Sequence, residues 1–240
     1  MCVNYKPTSK EVVSALTGAD TSYTPNWPEE VWQDYSAPVV RAGQEGEPEL
    51  HVGTYGMVPK RKMQEGLNLT TMNARAETIG QKRTYSKQWR ETQTCLVPMD
   101  WFYEPNWESG SAERWAIGMA DGEPFCVAGL WKKWPEEQGS FSFSFTQLTI
   151  NADEHPLMKR FHKLGDEKRS LVIVPRSEYE AWLNVKDPEM ARQMLSLYPA
   201  EQMKAWPAPR PKAASKAKAA PKKKLEQSSE KNKPETGSLF

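Results

Sequence analysis

Polar and apolar residues alternate most regularly over 140–145, Ser-Phe-Ser-Phe-Ser-Phe, where every second side chain is aromatic. A period of two places the three rings on one face of an extended strand. Runs rich in β-branched and aromatic residues, bounded by turn formers, predict further strands at 50–58, 114–119, 124–130 and 169–174. Helical spacing appears instead at 9–16, 74–89, 177–184 and 187–198. Two helix starts carry local chemistry: Ser177 with Glu180 has capping-box spacing, and Asp187 precedes a proline suited to the first helical position. Strands and helices do not alternate strictly, so the expected class is α+β with most of the sheet between 50 and 175.

Charge divides the chain at Trp206. From Pro207 onward there are nine basic and three acidic residues, a net of +6; of 32 basic and 31 acidic residues in all, 23 and 28 remain for 1–206, a net of −5. The end segment is rich in Pro, Ala, Lys and Ser, with too little to bury to offset the entropy of ordering it. It is therefore expected to be a disordered basic tail, 207–240, following a single domain, 2–206, that holds all ten tryptophans and all eight tyrosines. Lysines on such a tail release counterions from a polyanion and suggest an electrostatic arm for nucleic acid; a solubilising tail without a partner is the alternative.

The apolar stretch 125–131 is far shorter than the roughly 20 residues of a membrane span. The first residues show no secretory h-region, and an intracellular protein is expected, cytoplasmic or nucleoid-associated in a bacterium. Three cysteines without a C-x-x-C pair argue against a disulfide framework or a zinc-thiolate site, and three scattered histidines give no convincing metal ligand set. No cofactor is expected.

Cys2 has the most unusual placement. Removal of Met1 would leave an α-amine and a thiol on adjacent carbons, a pair that no internal residue offers. In model peptides these groups titrate near ~8 and ~8.5, so both nucleophilic forms are accessible at neutral pH. A 1,2-aminothiol condenses with an aldehyde to an imine, which sulfur then closes to a thiazolidine. An incidental cysteine at a frayed terminus is the competing view.

Downstream lie Asn73-Ala-Arg-Ala-Glu-Thr78, then Cys95-Leu-Val-Pro98 and Trp101-Phe-Tyr-Glu104, then Ala128-Gly-Leu-Trp131 and Phe161-His162. With the initial Met-Cys this ordered series resembles the SOS response-associated peptidase (SRAP) family over roughly 2–184. The resemblance implies a single SRAP-like domain with a mainly antiparallel, barrel-like sheet flanked by helices. It also implies a covalent sensor of abasic sites in single-stranded DNA, acting as a monomer through cysteine peptidase-like and lyase-like chemistry, with self-processing that exposes Cys2.

By the same resemblance Cys2 is the nucleophile, and Glu104 is the acid/base that protonates the sugar ring oxygen. Asn73 holds the terminal amine, and His162 exchanges protons with the opened sugar. Arg75 pairs with a phosphate beside the lesion. Asn4, Lys60, Arg61 and Trp107 complete the expected DNA-binding set, the last as a base-stacking platform. Simpler roles stand beside these: Glu104 in a Tyr-Glu-Pro turn, Asn73 as a helix N-cap, Arg75 paired with Glu77 or another carboxylate, and His155 in place of His162. The chain departs from the family pattern at Val3-Asn4, where Gly-Arg is usual, at Pro105, where Trp is usual, and after His162, where 163–169 is a longer polar loop. Two other activities fit parts of the pattern. One is a thiol peptidase acting on other proteins, and the other is a noncatalytic DNA-binding module driven by the tail.

Overall fold

The computed structural model describes residues 3–210, and the chain divides after Pro209 into two units. The fold belongs to the first. In chain order its elements are β1 (Tyr5–Pro7), α1 (Lys10–Thr17), β2 (Ser36–Ala42), β3 (Pro48–Tyr55), β4 (Asn73–Arg75), α2 (Ser86–Arg90), β5 (Thr94–Asn106) and β6 (Glu113–Met119). There follow β7 (Phe125–Pro135), β8 (Phe141–Asn151), β9 (Arg169–Leu171), β10 (Ile173–Val174), α3 (Tyr179–Asn184), α4 (Pro188–Gln193) and β11 (Met203–Pro207). Among the described residues no helix is long and apolar enough to cross a membrane.

Five strands close on themselves in the order β7-β8-β3-β2-β5, the ring being completed by β5 pairing with β7 from Thr94↔Leu130 to Met99↔Phe125. Closure removes the unpaired edges that an open sheet would present. All these pairings are antiparallel except β3 with β8. Alternation along the strands separates two cores. Val39, Tyr55, Cys95, Val97 and Phe145 belong to one, while Val40, Leu96, Leu130 and Leu148 join Trp89 of α2 and Trp182 of α3 in the other. The Trp182 indole donates to the Cys95 carbonyl at 2.9 Å, and the Thr94 hydroxyl donates to the Trp182 carbonyl at 2.9 Å, which fixes α3 against β5. The expected α+β class and barrel-like, mainly antiparallel sheet are both present.

β5 is the strand that local sequence hid. Both of its faces are buried for most of its length, so it lacks the alternation of a half-exposed strand, and Pro98 and Pro105 interrupt it. Pro98 lies opposite Cys126, whose N–H donates to the Tyr179 hydroxyl at 2.9 Å rather than to β5. After Met99 the strand leaves β7 and pairs with β6 from Phe102 to Asn106. One continuous strand thus links the barrel to an outer antiparallel layer, where β11 continues beyond β6.

The helix expected over 74–89 is corrected: only 86–90 is helical. Asn73, Ala74 and Arg75 lie parallel to Gln147, Leu148 and Thr149 of β8. Tertiary bonds then capture the backbone before a helix can propagate. Ala76 N donates to the Thr149 carbonyl, the Ala76 carbonyl accepts from Arg192, and the Glu77 carboxylate accepts from Asn151 N. The Ser177/Glu180 capping box is also absent, because α3 starts at Tyr179 behind a short 3-10 turn without a side-chain cap. Asp187 does cap α4, accepting from Glu189 N at 2.8 Å, although that helix ends at Gln193 rather than 198.

Gly129 is required where β7 is paired on both sides, with Cys95 and with Gln147. A Cβ there would sit 2.6 Å from the Thr146 carbonyl oxygen and 2.9 Å from Cys95 Sγ. Gly129→Ala is therefore expected to destabilise the fold by about 3 kcal/mol, at the upper end of overpacking costs. Urea unfolding measures this; a loss under about 1 kcal/mol would mean the strands part easily at that point.

Candidate active site

Glu104 lies on the outer half of β5 opposite Trp115 of β6 and is 3% exposed. A strand, not the Tyr-Glu-Pro turn, holds it. Just beyond, Asn106 forms an isolated antiparallel bridge with Phe161, and His162 N donates to the Pro105 carbonyl at 2.9 Å. These bonds stitch the 161–162 segment onto the end of β5. They bring His162 Nε2 to 3.0 Å from Glu104 Oε2, with the histidine 8% exposed. His162 adopts φ 64°, a left-handed conformation that non-glycine residues seldom occupy and that neighbouring bonds must hold. Lys168 Nζ supplies one, donating to the His162 carbonyl at 3.1 Å. Neither ring nitrogen of His162 makes a well-aligned hydrogen bond among the described residues, so the 3.0 Å approach to Glu104 is a close polar contact rather than an aligned bond. A carboxylate and an imidazole held together out of water make a unit suited to moving protons.

The N-terminal strand leads to this pair. Tyr5 lies opposite Phe102, and Tyr103 N donates to the Asn4 carbonyl at 3.2 Å, so β1 followed backward runs along β5 in the direction of Glu104. An isolated antiparallel bridge, in which Tyr5 and Val31 exchange backbone hydrogen bonds, secures its other edge. Asn4 itself is buried, and its amide donates to Glu30, which also pairs with Arg114 at 2.6 Å. The Arg114 guanidinium lies 3.3 Å from the centre of the Tyr103 ring. Neither Glu30 nor Arg114 was a sequence candidate, and no local spacing links two residues so far apart.

Asn73 begins β4 rather than capping a helix. It lies beside Gln147 in the ladder, and its carbonyl accepts from the Tyr85 hydroxyl at 3.1 Å. The Tyr55 hydroxyl donates to Gln147 Oε1 at 2.8 Å, and the Tyr55 ring stands edge-on to Tyr5 with centroids 5.3 Å apart. A buried chain of contacts thus joins the Asn73 ladder to β1. Arg75, two residues on and so on the same face of β4, is half-exposed and pairs with Glu167 at 2.6 Å rather than with Glu77.

The other cations have different surroundings. Lys60 and Arg61 belong to a 3-10 turn after β3; Lys60 pairs with Asp34 at 3.7 Å and Arg61 with Glu136 at 2.7 Å. Trp107, just past the end of β5, is half-buried. Trp115, not foreseen, packs against Phe161 with ring centroids 6.3 Å apart and so backs the segment that carries His162. His155 is engaged at both nitrogens: Nε2 is 2.8 Å from the Tyr198 carbonyl, and Nδ1 accepts from Leu157 N and Met158 N. That arrangement makes it a turn-capping group. Cys2, and the tail from 211 onward, lie outside the described residues.

Among the described residues no group of three or more His, Cys, Asp or Glu side chains is placed to hold a metal ion. Complete burial pushes the Cys126 thiol up to about 12 and the Cys95 thiol well above its ordinary value, so neither yields thiolate at neutral pH. A Cys2→Ala chain, retaining two of three cysteines, is expected to show no rapidly reacting thiol toward a disulfide reagent when folded and two after unfolding in guanidinium. Fast labelling of the folded variant would show that one of these cores opens.

Comparison with known proteins adds a family. The model described as SOS response associated peptidase (SRAP) matches residues 1–211. The abasic site processing protein YobE of Bacillus subtilis is 30% identical over 157 residues, 63% of this chain and 67% of its own. The abasic site processing protein YoqW of the same organism is 29% identical over 157 residues, 63% of this chain and 66% of its own. The matched stretch thus spans about two thirds of these curated relatives. A crystal structure of a Bordetella bronchiseptica protein superimposes with a TM-score of 0.78 at 34% identity, covering 86% of this chain and 99% of the other. One from Bacteroides thetaiotaomicron, at 20% identity and a TM-score of 0.67, covers 86% and 91% and shares the fold.

Proposed function

This chain belongs to the SOS response associated peptidase family, and from that premise we propose that it processes abasic sites in single-stranded DNA by covalent capture through Cys2. The observation that carries the reading is the buried Glu104–His162 pair, toward which the N-terminal strand runs. Relatives named as abasic site processing proteins supply the substrate class.

The ring-opened abasic sugar carries an aldehyde. Glu104 protonates the ring oxygen as the ring opens. The α-amine of Cys2, freed by loss of Met1, adds to the aldehyde carbon, and one water leaves as the imine forms. Sulfur then adds to the imine carbon, its proton passes to nitrogen, and a five-membered thiazolidine closes. His162 exchanges protons with the sugar hydroxyl released by opening. Asn73 orients the amine, Arg75 meets a flanking phosphate, and Lys60, Arg61 and Trp107 extend contact along the strand. Asn4, buried on Glu30, helps hold the terminal segment rather than reaching DNA. Pro207 closes β11 and Ala208 N donates to the Arg114 carbonyl at 2.9 Å, so the proposed electrostatic arm of this monomeric protein is the basic segment from 211 onward, outside the described residues.

Intact-mass measurement before and after incubation with single-stranded DNA bearing one abasic site tests the whole scheme. The expected result is a starting mass without Met1 and a product heavier by the DNA less one water. A chain lacking Met1 that binds the DNA yet gains no mass would instead favour a noncatalytic, tail-driven binder.

A further inference from the structure

Arg169 is buried, and it gathers two carboxylates. Its Nη1 donates to Glu167 Oε1 at 2.6 Å and to Glu77 Oε1 at 3.0 Å, while Nη2 donates to Glu77 Oε2 at 2.8 Å and to the Thr149 carbonyl at 2.7 Å. Asn151 adds a bond to the same oxygen of Glu167 at 3.2 Å. The second oxygen of Glu167 takes the half-exposed Arg75 at 2.6 Å. Glu167 closes the loop that begins at His162. That loop is tied down by Lys168, whose Nζ reaches the carbonyls of His162 and Lys163 and whose N–H reaches Asp153.

We propose that Glu167 sets the affinity of this chain for DNA by competing with phosphate for the Arg75 guanidinium. The inference rests on the reading above, in which Arg75 meets a phosphate beside the lesion. The two ends of the Glu167 carboxylate are unequal. One is fixed to a buried arginine and an amide, so if Arg75 leaves, Glu167 keeps these partners, and the one uncompensated charge left among Arg169, Glu77 and Glu167 falls on carboxylates that solvent reaches. The other holds an arginine in a half-exposed pair, which costs little to part. Arg75 is thus the one exchangeable member of a neutral set of two arginines and two glutamates. An arriving phosphate takes over its guanidinium without uncovering a buried charge. The carboxylate keeps the guanidinium ordered while DNA is absent and lowers the net gain when DNA binds.

Equilibrium binding of a fluorescent, undamaged single-stranded oligonucleotide at low salt tests this, with adduct formation on an abasic strand measured in parallel. Glu167→Gln keeps an acceptor for Arg169 and removes the charge that competes for Arg75; it should tighten binding about fivefold, the scale of an exposed ion pair. In an Arg75→Gln background the same change should add less than about twofold, because the competed group is gone. Asp166→Asn removes an equal charge from the same loop without touching Arg75 and should likewise give less than about twofold. Unchanged or weaker binding by Glu167→Gln overturns the proposal. So does an equal gain from Asp166→Asn, or a gain that survives loss of Arg75. If Glu167→Gln unfolds, Glu167→Asp, which shortens the reach to Arg75, must tighten binding or the proposal fails. A wild-type chain that forms the adduct while Glu167→Gln gains nothing sinks this inference alone; a wild type that neither binds nor forms an adduct sinks the functional reading with it.

Discussion

Cys2→Ala is expected to abolish the stable adduct with abasic DNA, leaving nothing that survives denaturing electrophoresis without prior reduction. Thiazolidine closure needs an amine and a thiol on adjacent carbons, and the chain holds that pair only at an exposed N-terminal cysteine. The other two thiols offer no substitute: Cys95 and Cys126 are fully buried, and burial holds both protonated at neutral pH. Surface lysines can still form an imine with the aldehyde, but with no neighbouring sulfur that imine hydrolyses unless borohydride traps it. The variant should therefore crosslink only with borohydride present, whereas the wild type crosslinks without it. Binding to undamaged DNA should stay within about twofold of wild type, since phosphate contacts supply most of the affinity. A borohydride-independent adduct in Cys2→Ala would rule out the thiazolidine route and redirect attention to the lysines.

How far the sequence reveals this molecule depends on which forces act locally. The 140–145 alternation marks the start of β8, although burial does not follow its period: Ser144 and Phe145 are both buried, while Phe141 is exposed. β5 is not legible because it is covered on both sides, so its composition carries burial without period, and its prolines resemble breakers although both are paired, Pro98 opposite Cys126 and Pro105 opposite Arg114. The 74–89 segment has helical spacing, yet ladder bonds to β8 and side-chain bonds from Arg192 outweigh a modest local preference. For the site, family motifs single out Glu104 and His162 individually. Their proximity comes from the Asn106–Phe161 bridge and from a histidine backbone in the left-handed region, neither of which follows from spacing. The Glu167 partner of Arg75 lies in the loop where the chain departs from the family pattern, so motif reasoning had no position to compare it with.

Glu104→Gln should slow adduct formation by about 10²- to 10³-fold, the usual share of a positioned general acid, while leaving undamaged-strand binding within about twofold. Glutamine matches the volume of glutamate and keeps an oxygen able to face His162 Nε2, so the local packing of β5 against β6 should survive. What it lacks is a proton to deliver to the sugar ring oxygen. The step at which that loss matters can be located by changing the electrophile. A linear aldehyde needs no ring opening, so if Glu104 acts chiefly as the ring-opening acid, the variant's deficit should shrink to about tenfold or less with that probe. An undiminished deficit would place Glu104 at the imine stage instead, shuttling the proton that lets water leave. If both substrates react at wild-type rates, Glu104 is a buried structural carboxylate, and the proton-transfer role must pass to His162 or to solvent. A His162→Asn variant, which retains a polar side chain but cannot exchange an imidazole proton, then decides between those two: a slowed variant assigns the transfer to the histidine, and an unaffected one assigns it to water.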